Sequence, residues 1–253
     1  MATAVQPKWT RLPIRTRPHR NPLAENSDEH PDNPAEMQAR CVEFYPEMSN
    51  PVVEILDVGC AFGGMLFSLS QEFPDVCMLG LEIRPKVVDF AQKKTLSYRE
   101  GIFEATPSSS TSTSSEQPHH FRNLWFEQMN VMKFGSNCFR KGQLRALFFC
   151  YPDPHWKRKN IRRRIISPGL VQEYAYWLKV GGLLFTVSDV EELEQWMVSC
   201  LDDCPLFRRL SEAELQNNME TMKVLRLATD SSEDAQRTAR KGLQKHYAIH
   251  VRV

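Results

Sequence analysis

With 253 residues, 42% of them apolar, the chain holds enough material to bury a core, and 25% charged with 10% aromatic residues excludes disorder over its whole length. Its 32 Lys plus Arg against 31 Asp plus Glu leave a net charge of +1, so charge has to be read segment by segment. No run approaches the ~18 consecutive apolar residues of a membrane helix, which sets a membrane partner aside.

Residues 1–50 are polar and punctuated by proline; they predict a largely irregular N-terminal arm ahead of one folded domain over 51–253. The arm carries Lys8, Arg11, Arg15, Arg17 and Arg20 but lacks the apolar stretch of a secretory signal, and Pro7, Pro13 and Pro18 interrupt the helix of a transit peptide. Residues 52–59 are a short β-branched run closed by glycine and predict a buried strand. A helix is expected over 65–72, a strand over 77–83, and a helix over 87–98 with Pro85 at its first turn. In 105–118, nine of fourteen residues are Ser or Thr, a low-complexity insertion that cannot bury apolar area. Strands are predicted at 124–129 and 144–151, a helix at 166–178, a strand at 183–187 and a helix at 191–201. Strand-like runs at 222–227 and 247–253 close the chain. The alternation predicts an α/β fold with a mostly parallel sheet covered on both faces, and ligands bound beyond the carboxyl ends of its strands.

The turn after the first strand reads Asp57-Val58-Gly59-Cys60-Ala61-Phe62-Gly63-Gly64. Glycine lets backbone bend sharply and lets a ligand lie against it. A dinucleotide fingerprint wants a second glycine where Ala61 stands, so a pyrophosphate-bearing cofactor is disfavoured. Glu82 ends the second strand 23 residues after Gly59, placed to accept hydrogen bonds from two ribose hydroxyls. A nucleoside without a pyrophosphate slot describes S-adenosylmethionine; a tight turn with a solvated Glu is the competing reading. Asn130, ending the third strand, either reads the edge of an adenine or caps its loop. Seven cysteines without a Cys-x-x-Cys pair read as free thiols, and no metal site is expected.

Pro152-Asp153-Pro154-His155-Trp156 follows the fourth strand. Two prolines exclude helix and hold Asp153 at the sheet edge. An Asp in a proline turn is ordinary, but this one shares its edge with Gly59 and Glu82, which puts it beside a reacting methyl group. Lys157, Arg158, Lys159, Arg162, Arg163 and Arg164 then form a cationic run suited to a phosphate backbone, with His155 and Trp156 able to stack on a base. The same run reads as a nuclear address; the nucleus is the expected compartment, with the cytoplasm left open.

Taken in order, Asp57-Val58-Gly59-Cys60…Gly63-Gly64, Leu81-Glu82-Ile83-Arg84, Pro152-Asp153-Pro154-His155 and Arg164-Ile165-Ile166-Ser167-Pro168 resemble the tRNA (guanine-N7-)-methyltransferase family over nearly the whole chain. Arg17-x-His19-x-Asn21-Pro22 resembles the arm of its eukaryotic catalytic subunits. The resemblance implies a Rossmann-like methyltransferase fold, S-adenosylmethionine as cofactor, tRNA as substrate and a non-catalytic WD-repeat partner. It puts Gly59, Glu82, Arg84, Asn130 and Val131 at cofactor positions, Asp153 at the catalytic aspartate, and Ser231 and Glu233 on a late Thr-x-Glu motif. Ala61 departs from the family's usual glycine, and Ile161 from its usual polar residue. The implied activity is methyl transfer to N7 of a guanine in tRNA. A non-catalytic RNA-binding or scaffold subunit on the same fold is the alternative, separated from it by whether S-adenosylmethionine binds.

Overall fold

The computed structural model describes residues 20–24, 29–102 and 120–253; the insertion at 105–118 and the first part of the arm lie outside the described residues. Seven strands form the sheet: β1 (Val53–Val58), β2 (Cys77–Glu82), β3 (Leu124–Gln128), β4 (Leu144–Cys150), β5 (Leu178–Ser188), β6 (Phe207–Arg209) and β7 (His246–Arg252). Their spatial order is β3-β2-β1-β4-β5-β7-β6. The pairs among β1 to β5 are parallel, and β7 runs antiparallel to both β5 and β6. Strand β1 is interior, with Asp57 opposite Gly80 of β2 on one side and Phe148 of β4 on the other. The strand order reverses beside β1, so the loops leaving β1, β2 and β4 converge where such sheets bind ligands.

The helices are α1 (Pro34–Phe44), α2 (Gly64–Glu72), α3 (Pro85–Arg99), a single-turn α4 (Val131–Phe134), α5 (Pro168–Trp177), α6 (Glu191–Asp202), α7 (Glu212–Gln216), α8 (Met219–Asp230) and α9 (Glu233–Arg240). One face of the sheet is covered by α1, α5 and α6, which bury Met37, Cys41, Tyr174, Trp177, Leu193 and Met197. The other face takes α2, α3 and α8 through Met65, Leu66, Val88, Ala91, Leu225 and Ala228. At about 1.5–3 kcal/mol for each large side chain withdrawn from water, these two layers fix the sheet under its loops.

Two sequence expectations are corrected. The arm is not irregular throughout: Asn33 caps α1, its side chain accepting from Ala35 N and Glu36 N, and Pro34 is the first helical residue. Met37, Cys41 and Phe44 repeat at helical spacing and are buried, so this part of the arm belongs to the core. Residues 222–227 are not a strand but the middle of α8. Thr221, Leu225 and Ala228 are its buried stripe, at intervals of four and three, and Asn218 caps it through Thr221 N. Six apolar-rich residues alone do not separate the two periods; the cap and the longer stripe do.

Candidate active site

The turn after β1 is bent by residues with positive φ: Gly59 at 78°, Ala61 at 48° and Gly63 at 79°. It is tied to the end of β2, Leu81 O accepting from Gly59 N at 2.7 Å and from Cys60 N at 3.2 Å. Glu82, the next residue of β2, is therefore brought alongside the turn and is 4% exposed. Its carboxylate is held by Arg84, which donates from Nε at 3.1 Å, from Nη2 at 2.8 Å and from its own backbone N at 3.0 Å. Burial works against the charge of Arg84, but Glu82, then Asp153 and Asp234, more than offset it and raise its pKa. One guanidinium thus lies in the field of the β2 acid, the proline-flanked acid after β4 and the first turn of α9.

Ser231 and Glu233 come to the same place. A Cβ on Gly64, the first residue of α2, would stand 2.8 Å from Ser231 O and 3.0 Å from a Glu233 carboxylate oxygen. Only glycine lets the joint between α8 and α9 approach this closely. That joint is pinned from the other strands as well: Tyr151 donates its hydroxyl to Thr229 O at 3.1 Å, and Thr238 donates to Asp189 at 3.2 Å. Tyr151 and His155, on either side of Asp153, have φ of 53° and 47°. Non-glycine residues in this region cost roughly 1–2 kcal/mol each, and such strain tends to gather at functional loops.

The remaining site residues fall in different environments. Asn130 is buried, and its amide donates to Pro22 O at 2.6 Å, so it ties the arm to the end of β3; Val131 is buried at the start of α4. Lys157, Arg158, Lys159 and Arg162 are exposed around a 3-10 helix at Arg158–Arg163, beside Trp156 at 61% exposure. His155 and Arg163 are half-buried. Arg164 is turned inward, which corrects its placement in the cationic surface: it is 3% exposed, donates from Nε to Pro154 O at 2.9 Å, pairs with Glu192 at 3.4 Å and lies over Trp196. It braces the loop that carries Asp153. A 600 Å³ cavity lined by Glu43, Phe44 and Glu127 lies between α1 and β3.

Sequence reasoning assigned no role to Asp57, Tyr151, Asp234 or the brace at Arg164. Asp57 lay in the quoted motif two residues before Gly59, and its burial was the missing signal. Burial, then the charge of Glu82, pushes its carboxyl up to about 8. Chemically the edge offers buried carboxylates for hydroxyls and cations, one half-buried acid after β4, and a rim of positive charge.

A family described as "Putative methyltransferase" matches residues 51–246. The chain is 39% identical over 255 residues to an Arabidopsis thaliana tRNA (guanine-N(7)-)-methyltransferase, covering 97% of this chain and 94% of the relative. To the protein of that name from Schizosaccharomyces pombe it is 38% identical over 252 residues, covering 96% and 86%. For that of Anopheles gambiae the values are 37% over 239 residues, 94% and 93%. Among solved structures, an antibiotic-related methyltransferase aligns at 13% identity with a TM-score of 0.48, over 85% of this chain and 94% of that one, too remote a likeness to assign a residue.

Proposed function

The chain belongs to the tRNA (guanine-N(7)-)-methyltransferase family, and we propose that it carries out the family's reaction with the residues gathered at this sheet edge. It is an S-adenosylmethionine-dependent enzyme that methylates N7 of a guanine in tRNA. The observation that carries the residue assignment is the single guanidinium of Arg84 in the field of Glu82 and Asp153 at once, because donor site and acceptor site must adjoin for the methyl to pass.

The residues fit this cofactor. Asp57 Oδ1, just before the glycine turn, and Glu233 Oε2, packed against Gly64 at its end, are buried without hydrogen-bond partners among the described residues. Acids in that state suit a ligand bringing hydroxyls and positive charge. Glu82 holds the ribose: a carboxylate accepts about four hydrogen bonds, and Arg84, with two on Oε1 and one on Oε2, leaves a place on Oε2 for a sugar hydroxyl. Gly59 gives the backbone a bare face for the ligand, and Ser231 and Glu233 close the far side. When bound, the cofactor supplies a methyl group on a sulfonium.

N7 of guanine carries an in-plane lone pair and no proton, so its attack needs no general base. Asp153 accepts hydrogen bonds from the N–H groups of the base, aligns N7 and favours the positive charge that develops on the imidazole ring. Orientation of this kind supplies up to about 7–11 kcal/mol of a bimolecular barrier. Lys157, Arg158, Lys159 and Arg162 grip the tRNA backbone while Trp156 and His155 pack on a nucleotide. The arm over 1–50, with its α1 packed into the core, and the domain over 51–253 remain the proposed division, with a WD-repeat protein as the non-catalytic partner that helps hold tRNA. No helix among the described residues is long and apolar enough to cross a membrane, and the exposed cations suit a nuclear address.

The test is to incubate the chain, alone and with a WD-repeat partner, with methyl-labelled cofactor and total tRNA, and to map the labelled base. Label on a tRNA guanine, lost on chemical cleavage at 7-methylguanosine, is the expected result. No transfer under either condition, together with no binding of the cofactor, would make the chain a scaffold.

A further inference from the structure

Thr229 stands in the last turn of α8, where a helix leaves its carbonyls without partners of its own. Its oxygen accepts from the Tyr151 hydroxyl at 3.1 Å and from Lys245 Nζ at 2.7 Å. A carbonyl has two lone pairs, and here both are taken. Lys245 comes from the segment ahead of β7, whereas Tyr151 comes from the loop that carries Asp153. Tyr151 is itself held at three points. Its N–H donates to Val187 O of β5 at 2.7 Å, its ring packs on the core layer under α2, α3 and α8, and its hydroxyl is bound to Thr229 O. A bulky residue at a φ of 53° keeps that conformation only where its surroundings over-determine it. Burial, then Cys150, Asp189, Asp230 and Asp234, hold its phenol well above the usual range, so the hydroxyl stays a donor.

This one hydrogen bond joins the two halves of the site. Two residues after Thr229 comes Ser231, whose carbonyl lies against Gly64 at the glycine turn, and four after it comes Glu233. One oxygen of Glu233 is buried without a hydrogen-bond partner among the described residues. Two residues after Tyr151 comes Asp153. A donor that fills the space beside Ser231 and Glu233 orders the joint between α8 and α9. An ordered Thr229 O then fixes the Tyr151 side chain, and with it the bent backbone that aims Pro152 and Asp153. We propose that Tyr151 is a positioning residue whose hydroxyl, through Thr229 O, couples occupation of the donor site to the placement of Asp153, so that cofactor and tRNA tighten each other's binding. The effect is reciprocal, since two ligands that share a coupling free energy change each other's affinity by the same factor. Phenylalanine at 151 would keep the ring and lose only this link, while Thr229 O would keep Lys245. The inference rests on the function proposed above.

The experiment measures tRNA affinity of the full chain, alone and with the WD-repeat partner, with and without saturating S-adenosylhomocysteine, the product left once the methyl has gone. In the native chain S-adenosylhomocysteine should tighten tRNA binding about fivefold or more, the usual scale of such couplings. Tyr151→Phe should bring that factor to within about twofold of unity. It should also lower the single-turnover rate at saturating cofactor and tRNA by about 3–10-fold, the scale of one neutral hydrogen bond. Cofactor affinity without tRNA should stay within about twofold. Lys245→Met, which takes a donor from the same carbonyl but from outside the Asp153 loop, is the control and should keep the coupling. Equal loss of coupling in both variants would make Tyr151 a structural pin and overturn the proposal. Coupling that persists in Tyr151→Phe, or is missing from a native chain that binds both ligands, also overturns it. Should Tyr151→Phe not fold, amide exchange of the native chain decides: S-adenosylhomocysteine alone should slow it about fivefold over 151–158, and no slowing refutes the link. If the native chain binds neither S-adenosylhomocysteine nor tRNA, with or without the partner, the methyltransferase reading itself fails.

Discussion

The proposed donor and acceptor sides of the site are made of opposite materials. On the donor side, Asp57 and Glu82 are withdrawn from water, Glu233 has one oxygen buried, and they are fixed by the register of β1 and β2 and by the approach of Gly64 to Ser231. On the acceptor side, one half-buried acid, Asp153, is followed by exposed cations on a 3-10 helix, braced from behind by Arg164. Buried carboxylates act at short range and are barely screened, whereas exposed cations act over a Debye length of about 8–10 Å and weaken with salt. Donor binding should therefore be insensitive to ionic strength and tRNA binding steeply sensitive to it, and substitutions on each side should separate accordingly.

The largest separation is expected at Asp153. Asp153→Ala should lower the single-turnover rate on tRNA by about 10²–10³-fold, the scale of losing one preorganised electrostatic contact. Its affinity for S-adenosylmethionine should stay within about twofold by calorimetry. A comparable loss in both measurements would merge the two sides. Glu82→Gln should do the reverse and weaken the cofactor by roughly 10–100-fold, because a buried charged acceptor with several donors is worth about 1.5–3 kcal/mol. Saturating cofactor should then restore most of the rate on tRNA.

Within the cationic run the comparison can be sharpened residue by residue. Arg164→Ala removes a buried guanidinium from Pro154 O and from the face of Trp196. It should reduce unfolding stability by about 2 kcal/mol and lower kcat through a loosened Asp153 loop. Arg158→Ala, at an exposed position, should leave stability unchanged. It should instead flatten the dependence of log affinity for tRNA on log salt by about 0.7–0.9, the loss of one phosphate contact. Equal salt slopes for the two variants would mean that Arg164 turns outward after all.

How far the sequence could be read follows the same division. Glu82 was legible because a strand between two turns fixes how far a residue lies from Gly59, and Asp153 because prolines fix backbone wherever they stand. Alternating strands and helices were enough for the parallel part of the sheet, since each apolar run is local. Arg164 was not legible: six cations in eight residues look alike in sequence, and the one facing inward is chosen by Trp196 and Glu192, about thirty residues later. Asn130 was open between two readings because its partner, Pro22, is 108 residues away. The helix over Met219–Asp230 was taken for a strand because its short apolar segment was weighed without the Asn218 cap.

The smallest effect is expected at Ala61, where the two sides of the comparison meet in one turn. Its φ of 48° places an L side chain in the left-handed region, which costs about 1–2 kcal/mol. Glycine would remove that strain but lose more chain entropy on folding, a penalty of roughly 0.5–1 kcal/mol. Ala61→Gly should therefore stabilise the fold by no more than about 1.5 kcal/mol in denaturant unfolding. Its cofactor affinity should stay within about twofold, because the turn is already held in the bent form by Leu81 O accepting from Gly59 N and Cys60 N. A marked gain in affinity would mean that the alanine methyl, and not the backbone, limits how closely the donor approaches, and the donor side would then be less preorganised than its buried acids suggest.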